Sequence, residues 1–372
     1  MRRWSQTLLF VLLLACAVPT VGVRAAPPAP ADTSELAQQW LADPDDVGKL
    51  RAYLGAGLKQ VFAALSEDPD AAEQALAEIK TVLEQGRPQR AETRRELQFA
   101  SGSLAMYAKQ IALARVPLKD LADQLAAQPN DGEVFHKYFG RLSSEVYRLG
   151  RSDPEKAAET LATSREFLDR QRERMTTDRA KRHLDHWDKG LERLTSVVET
   201  HRYLAALVGR PAAPLDVDAW VNGDPLTEED LRGKVVLLDF WAVWCSPCIS
   251  ALPHIQAWQE RYGDKGLVII GLTRYYNFAW DEGAGRPHRS HGPVSHATEL
   301  HMLQKFADQH QLTHHIAVQK QDAAMSKYYG VAQIPHVVVI DQEGHVRMVR
   351  GGSSARNSRE IAELLEQLFG DK

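Results

Sequence analysis

Two cysteines three positions apart, in Cys245-Ser246-Pro247-Cys248, are the strongest candidates for chemistry in this chain of 372 residues. They follow an apolar run, 234–241, that reads as a buried strand, and they open a segment, 246–262, that reads as a helix. A sulfur at a helix start lies beside unpaired backbone N–H groups and the positive end of the helix dipole. Both favour the thiolate, which is the attacking species in disulfide exchange. The second cysteine falls one turn further in, placed to attack a mixed disulfide held on the first. The pattern therefore assigns Cys245 as nucleophile and Cys248 as resolving thiol. A bridge between them closes almost no loop and restricts the unfolded chain little, so it is there to react more than to staple. Trp244, Ser246 and Pro247 border the pair and are expected to touch substrate.

The third cysteine, Cys16, belongs to a different feature. Arg2 and Arg3 precede a short apolar core, 8–18, and Val23-Arg24-Ala25 supplies a small-residue exit. These are the parts of a secretory signal peptide, 1–25. An uncleaved anchor and a lipid-modified Cys16, in Leu13-Leu14-Ala15-Cys16, are the competing readings. After cleavage only Cys245 and Cys248 remain, too few for an exported protein stapled by several disulfides. The expected location is the periplasm or cell envelope.

The elements that must carry the pair fall into two blocks, giving a two-domain chain. A Pro/Ala linker, 26–34, leads into 35–208, which is rich in Ala, Leu, Glu, Gln and Arg and predicts an all-α domain. Asp43-Pro44, Asp68-Pro69 and Asp153-Pro154 read as helix starts. Shifting this block by 85 residues superposes Tyr53 on Tyr138, Val61 on Val146, Asp68-Pro69 on Asp153-Pro154 and Ala72 on Ala157. That predicts a tandem duplication, copies near 40–113 and 125–198, each of about three helices, with Tyr53, Tyr138, Phe62 and Tyr147 in the core. From Gly209 the texture becomes α/β: strands at 215–221, 234–241, 267–272, 337–341 and 345–350, helices at 246–262, 297–310 and 358–369, an Asn222-Gly223 hairpin turn and an inserted loop near 275–296.

Asp239-Phe240-Trp241-Ala242-Val243-Trp244-Cys245-Ser246-Pro247-Cys248 resembles the thioredoxin signature. With Leu231-Arg232-Gly233-Lys234-Val235-Val236 and the Gly209-to-Pro214 lead-in, the stretch 209–372 resembles exported TlpA/ResA-type disulfide reductases. The resemblance implies an α/β thioredoxin fold and a redox-active disulfide as the only cofactor. It also implies a catalytic proton acceptor at Asp239, a helix-kinking Pro253, and a cis Ile334-Pro335 bond facing the cysteines. There Pro335 acts in catalysis and the backbone of Ile334 pairs with a substrate strand. Protein thiols and disulfides would be substrates, and a membrane electron donor would reset the pair. Ala251 departs from that branch, which often carries glutamate there, so substrate choice does not transfer. His336 is placed either near the sulfurs, biasing the thiolate and meeting substrate, or on a solvated rim.

Net charge is −4, which offers no electrostatic case for nucleic acid. Seven histidines cluster at His288, His291, His296, His301, His310, His314 and His315, and with the CxxC they raise a rival reading as a metal-binding module. A CxxC zinc clip needs two more ligands, however, and no second cysteine pair exists, so no metal site is assigned. A second rival is a helical interaction scaffold with an accessory thioredoxin domain. In the disulfide-exchange reading the helical domain is expected to be a docking or spacing module, by default a surface that docks an unknown protein.

Overall fold

The computed structural model describes residues 33–65 and 68–370. The expected leader, with Cys16, and nearly all of the 26–34 linker lie outside these residues. Thr33 and Ser34, expected in the linker, already open α1.

The first block is helical throughout: α1 Thr33–Ala42, α2 Val47–Leu65, α3 Pro69–Gln85, α4 Ala91–Ala114, α5 Leu118–Ala127, α6 Gly132–Ser152, α7 Pro154–Arg174 and α8 Asp178–Leu207. Aspartates start several of them by accepting free N–H groups: Asp68 from Asp70 and Ala71, Asp131 from Glu133 and Val134, Asp153 from Lys156. Asp43-Pro44 does not start a helix. It follows the end of α1, where Trp40 Nε1 donates to the Pro44 carbonyl, and Asp46 accepts from Lys49 N at the start of α2.

Helices α1, α2 and α3 begin 85 residues before α5, α6 and α7. A short helix thus precedes each set of three, so the offset relates two stretches of four helices, α1–α4 and α5–α8, where about three each were expected. Tyr53 and Tyr138, Val61 and Val146, and Ala72 and Ala157 are all buried, the first of each pair in one apolar cluster and the second in another. Phe62 and Tyr147 are not core residues: they are 66% and 49% exposed. Each follows a buried valine by one residue, and one helical step turns the side chain about 100° away from the core.

The second block contains β1 Val217–Asn222, β2 Val235–Phe240, α9 Ser246–Tyr262, β3 Leu267–Thr273, β4 Phe278–Asp281, β5 Arg286–Arg289, α10 His296–Gln309, β6 His315–Gln319, α11 Ala324–Tyr328, β7 His336–Ile340, β8 Val346–Gly351 and α12 Ala355–Gly370. Six strands form one mixed sheet in the order β1-β6-β3-β2-β7-β8. Strands β2, β3 and β6 run parallel, and β1, β7 and β8 join antiparallel. All six residues of β2 are buried, as a central strand covered on both faces requires. On one face Val236, Leu238 and Phe240 pack with Tyr329 and with Leu207, the last residue of α8. On the other, Val235 and Leu237 pack with Ile255 of α9 and Ile361 of α12.

Three expectations change. Asn222-Gly223 does not form a hairpin, because β1 pairs with β6 and Asn222 Nδ2 donates to the carbonyls of Leu312 and His314. Strand β6 and helix α11 were hidden in short segments beside the histidine-rich stretch. The inserted loop is ordered around its own two-stranded hairpin, β4–β5.

Candidate active site

The site is built where β2 ends. Beyond Phe240 the chain remains paired through Trp241 N to the Leu272 carbonyl, then turns, with Cys245 N donating to Ala242 O. Trp241 is buried against Phe306, and its Nε1 lies where a side chain on Gly271 of β3 would collide with it, a Cβ there falling 2.9 Å away. Glycine at 271 makes room for the indole that underlies the active-site turn.

Cys245 is the N-cap of α9, and its sulfur accepts from Cys248 N at 3.2 Å. The two sulfurs are joined as a disulfide. Both cysteines are buried, whereas Ser246 and Pro247 between them are exposed and Trp244 is 49% exposed. The pair therefore sits under a solvent-facing rim formed by Trp244, Ser246 and Pro247. Pro253 lies inside α9, as expected.

Asp239 is 3% exposed on β2. Alternation along the strand puts its side chain on the face of Val235 and Leu237, the face that α9 covers. Burial pushes its carboxyl up to about 7, and no charged neighbour contributes. At neutral pH this group can both take and give a proton.

The Ile334–Pro335 bond is cis. Pro335 is buried, and Ile334 packs against the apolar cluster that contains Cys245 and Cys248. The Pro335 carbonyl is held by Gly352 N at 2.7 Å. His336 is a correction. It is 2% exposed, edge-on to Phe240 at 5.8 Å, on the face opposite Asp239 and α9. Burial lowers its imidazole to about 4. It is a neutral core residue, neither a rim group nor a partner of the sulfurs, because strand alternation turns it inward immediately after Pro335.

Sequence reasoning missed Tyr276, which packs edge-on against Trp244 at 5.4 Å. It is fixed by Glu299 of α10, a buried carboxylate that accepts from the backbone N–H groups of Tyr276, Asn277 and Phe278 at 2.8 to 3.2 Å. The inserted segment thereby contributes a wall beside the exposed tryptophan. Nothing local in the sequence links Glu299 to Tyr276. The histidines do not assemble a centre: among the described residues, no group of three His, Cys, Asp or Glu side chains converges as a metal site. His314 is buried and neutral, lowered to about 4 by burial, and His296 stacks on Tyr275.

A CxxC disulfide capping the helix after a central strand, next to a cis-proline loop in a mixed sheet, defines a thioredoxin-fold thiol–disulfide domain. The Redoxin family model matches residues 208–368, so the C-terminal half of the chain is a redoxin domain. Curated relatives over this region include Protein DipZ of Mycobacterium tuberculosis, 30% identical over 158 residues, which are 42% of this chain and 20% of DipZ. Thioredoxin-like protein YneN of Bacillus subtilis is 27% identical over 140 residues, 38% of this chain and 69% of YneN. Thiol-disulfide oxidoreductase ResA of Geobacillus thermodenitrificans is 27% identical over 139 residues, 37% of this chain and 66% of ResA. The chain thus spans about a fifth of the DipZ relatives it matches. A solved thiol-disulfide isomerase from Corynebacterium glutamicum is 23% identical and covers 44% of this chain and 97% of its own, with a TM-score of 0.35.

Proposed function

We propose that this chain is an exported thiol–disulfide oxidoreductase that reduces protein disulfides through Cys245 and Cys248. The observation that carries the reading is the Cys245–Cys248 bridge at the start of α9, buried under an exposed rim and beside the Ile334–Pro335 loop. In the reduced protein, the Cys245 thiolate attacks a substrate disulfide. A mixed disulfide forms and one substrate sulfur leaves as a thiolate, which water protonates. Cys248 then gives its proton to Asp239 and attacks Cys245 Sγ. The bond to substrate breaks, the second substrate sulfur leaves as a thiolate and takes the proton from Asp239, and the protein's own disulfide is restored as the substrate departs as a dithiol. The two electrons lost each turn are resupplied by a membrane-bound dithiol donor, and no cofactor beyond the disulfide takes part. Pro335 has no N–H, so the backbone beside it, at Ile334, is open to an extended substrate strand. Ser246, Pro247 and Trp244 form the remaining contact surface.

Export is supported by the signal-like pattern of 1–25, and the relative named thiol-disulfide oxidoreductase ResA supports disulfide exchange as the chemistry. The matching 85-residue offset of helices and core positions supports a tandem duplication in the helical half, which would be the docking module for a partner protein.

Trapping tests the reading. Cys248→Ser should hold substrates on Cys245 as mixed disulfides that mass spectrometry identifies, and the reduced wild-type protein should reduce insulin. Absence of both trapped species and insulin reduction would leave the metal-binding and scaffold readings in its place. Fractionation with N-terminal mass analysis checks for cleavage after Ala25.

A further inference from the structure

We infer that the helical half braces the cis-proline loop in its substrate-receiving shape, with Arg151 and Tyr203 as positioning residues; this rests on the disulfide-exchange reading above. Two contacts from the helices converge on the segment that ends at Pro335.

The first runs through Asn357 of α12, which is 3% exposed. Its Nδ2 donates to the carbonyls of Gly351 and Gly352 at 2.9 and 2.8 Å. Its Oδ1 accepts from the Arg151 guanidinium of α6. Gly352 N in turn donates to the Pro335 carbonyl. Arginine has only donors, so it holds the amide with oxygen outward and NH₂ toward the two carbonyls. A short relay of hydrogen bonds therefore joins the helical half to the carbonyl of the cis-proline.

The second contact comes from the other side. Tyr203 Oη of α8 donates to the Tyr328 carbonyl at 2.7 Å. Its ring and the Leu204 side chain lie against Gly330, where an added Cβ would be 3.0 Å from each. Gly330 has φ +63, a left-handed conformation that glycine adopts without penalty, and it stands five residues before Pro335. Both ends of the loop segment thus rest on helices outside the thioredoxin fold.

A strand-pairing substrate senses the geometry of this loop, whereas a small disulfide that meets only sulfur does not. That difference separates positioning from general stability. The test uses the full mature chain, with insulin and 5,5′-dithiobis(2-nitrobenzoate) as the two substrates and hydrogen exchange at the Gly352 amide as a direct report on the loop. Arg151→Ala and Tyr203→Phe should each raise KM for insulin by about tenfold, with kcat and the small-disulfide rate within about twofold of wild type. Arg151→Lys should recover part of the loss, and Gly352 exchange should quicken in Arg151→Ala. Unchanged KM in both variants would overturn the brace. So would equal losses on both substrates accompanied by a lower melting temperature. If the wild-type protein exchanges disulfides with neither substrate, the exchange reading fails on its own account, while unaltered Gly352 protection in Arg151→Ala would still sink the brace.

Discussion

At the scale of the residue, the decisive contrast is between Asp239 and His336, both buried and on neighbouring strands. Asp239 faces the helix that carries the cysteines, and burial alone holds its proton up to about 7. Its folded pKa is raised, so the folded state binds a proton that the unfolded chain has lost between about pH 4 and 7. The stabilisation is fully present below pH 3.8 and disappears as pH rises through 7, a fall of about 4 kcal/mol in total. Buried His314 and His336, held down to about 4, slope the other way over the same window, so the contribution of Asp239 is read as a difference: in urea unfolding of the oxidised protein from pH 4 to 8, wild type should lose stability relative to Asp239→Asn as pH rises. If Asp239 takes the proton of Cys248 as proposed, the same variant should slow release of the mixed disulfide. Parallel wild-type and Asp239→Asn profiles would mean that Asp239 titrates normally. His336, held down to about 4 by burial, is uncharged near neutral pH, so its replacement should leave the pH profile of exchange there in place.

At the scale of the element, the inserted segment 275–296 is organised by one carboxylate. Glu299 accepts three backbone N–H groups in succession and so sets the position of Tyr276 beside Trp244. Glu299→Ala leaves three backbone N–H groups without their acceptor at a buried site, at a cost of about 3 kcal/mol. The expected outcome is a lower melting temperature with faster amide exchange confined to residues 276–278. Global loss of protection would show instead that the segment is part of the main core. The sequence marked this stretch as an insertion, and its histidines raised metal binding only as a rival reading. The real device, a helix residue reaching back to cap a turn, has no local signature because its partners are 21 to 23 residues away.

At the scale of the whole molecule, the helical half is joined to the redox half by more than a linker. Leu207, the last residue of α8, is fully buried in the cluster with Leu238, Phe240 and Tyr329. Leu207→Ala should therefore destabilise the thioredoxin fold by about 3 kcal/mol, as deletion of a core leucine does. Denaturant unfolding followed through the redox half is the check. If only the helices lose stability, the two halves fold independently. The boundary near 208 was legible as a change of texture from Ala/Leu/Glu-rich to β-branched, but a boundary in composition is not a boundary in packing. Helix α8 ends at the boundary with its last residue packed inside the redox half.

The sequence by itself determined the chemistry and its immediate frame. A CxxC between a continuous apolar run and a helix has one economical geometry, and the proline at 335 and the acid at 239 were readable from their place in a familiar pattern. Periodicity likewise marked the helices, the 85-residue offset and most strands, since these are properties of local repeats. The tertiary structure alone decided which side of a strand met which layer, and hence that His336 is core and that Phe62 and Tyr147 are surface. It also decided that β1 pairs with β6, that Tyr276 stands beside Trp244, and that Arg151 and Tyr203 reach the cis-proline loop. Each of these joins residues far apart in the chain, and such pairings follow from how whole layers close over one another, which no short window of sequence encodes.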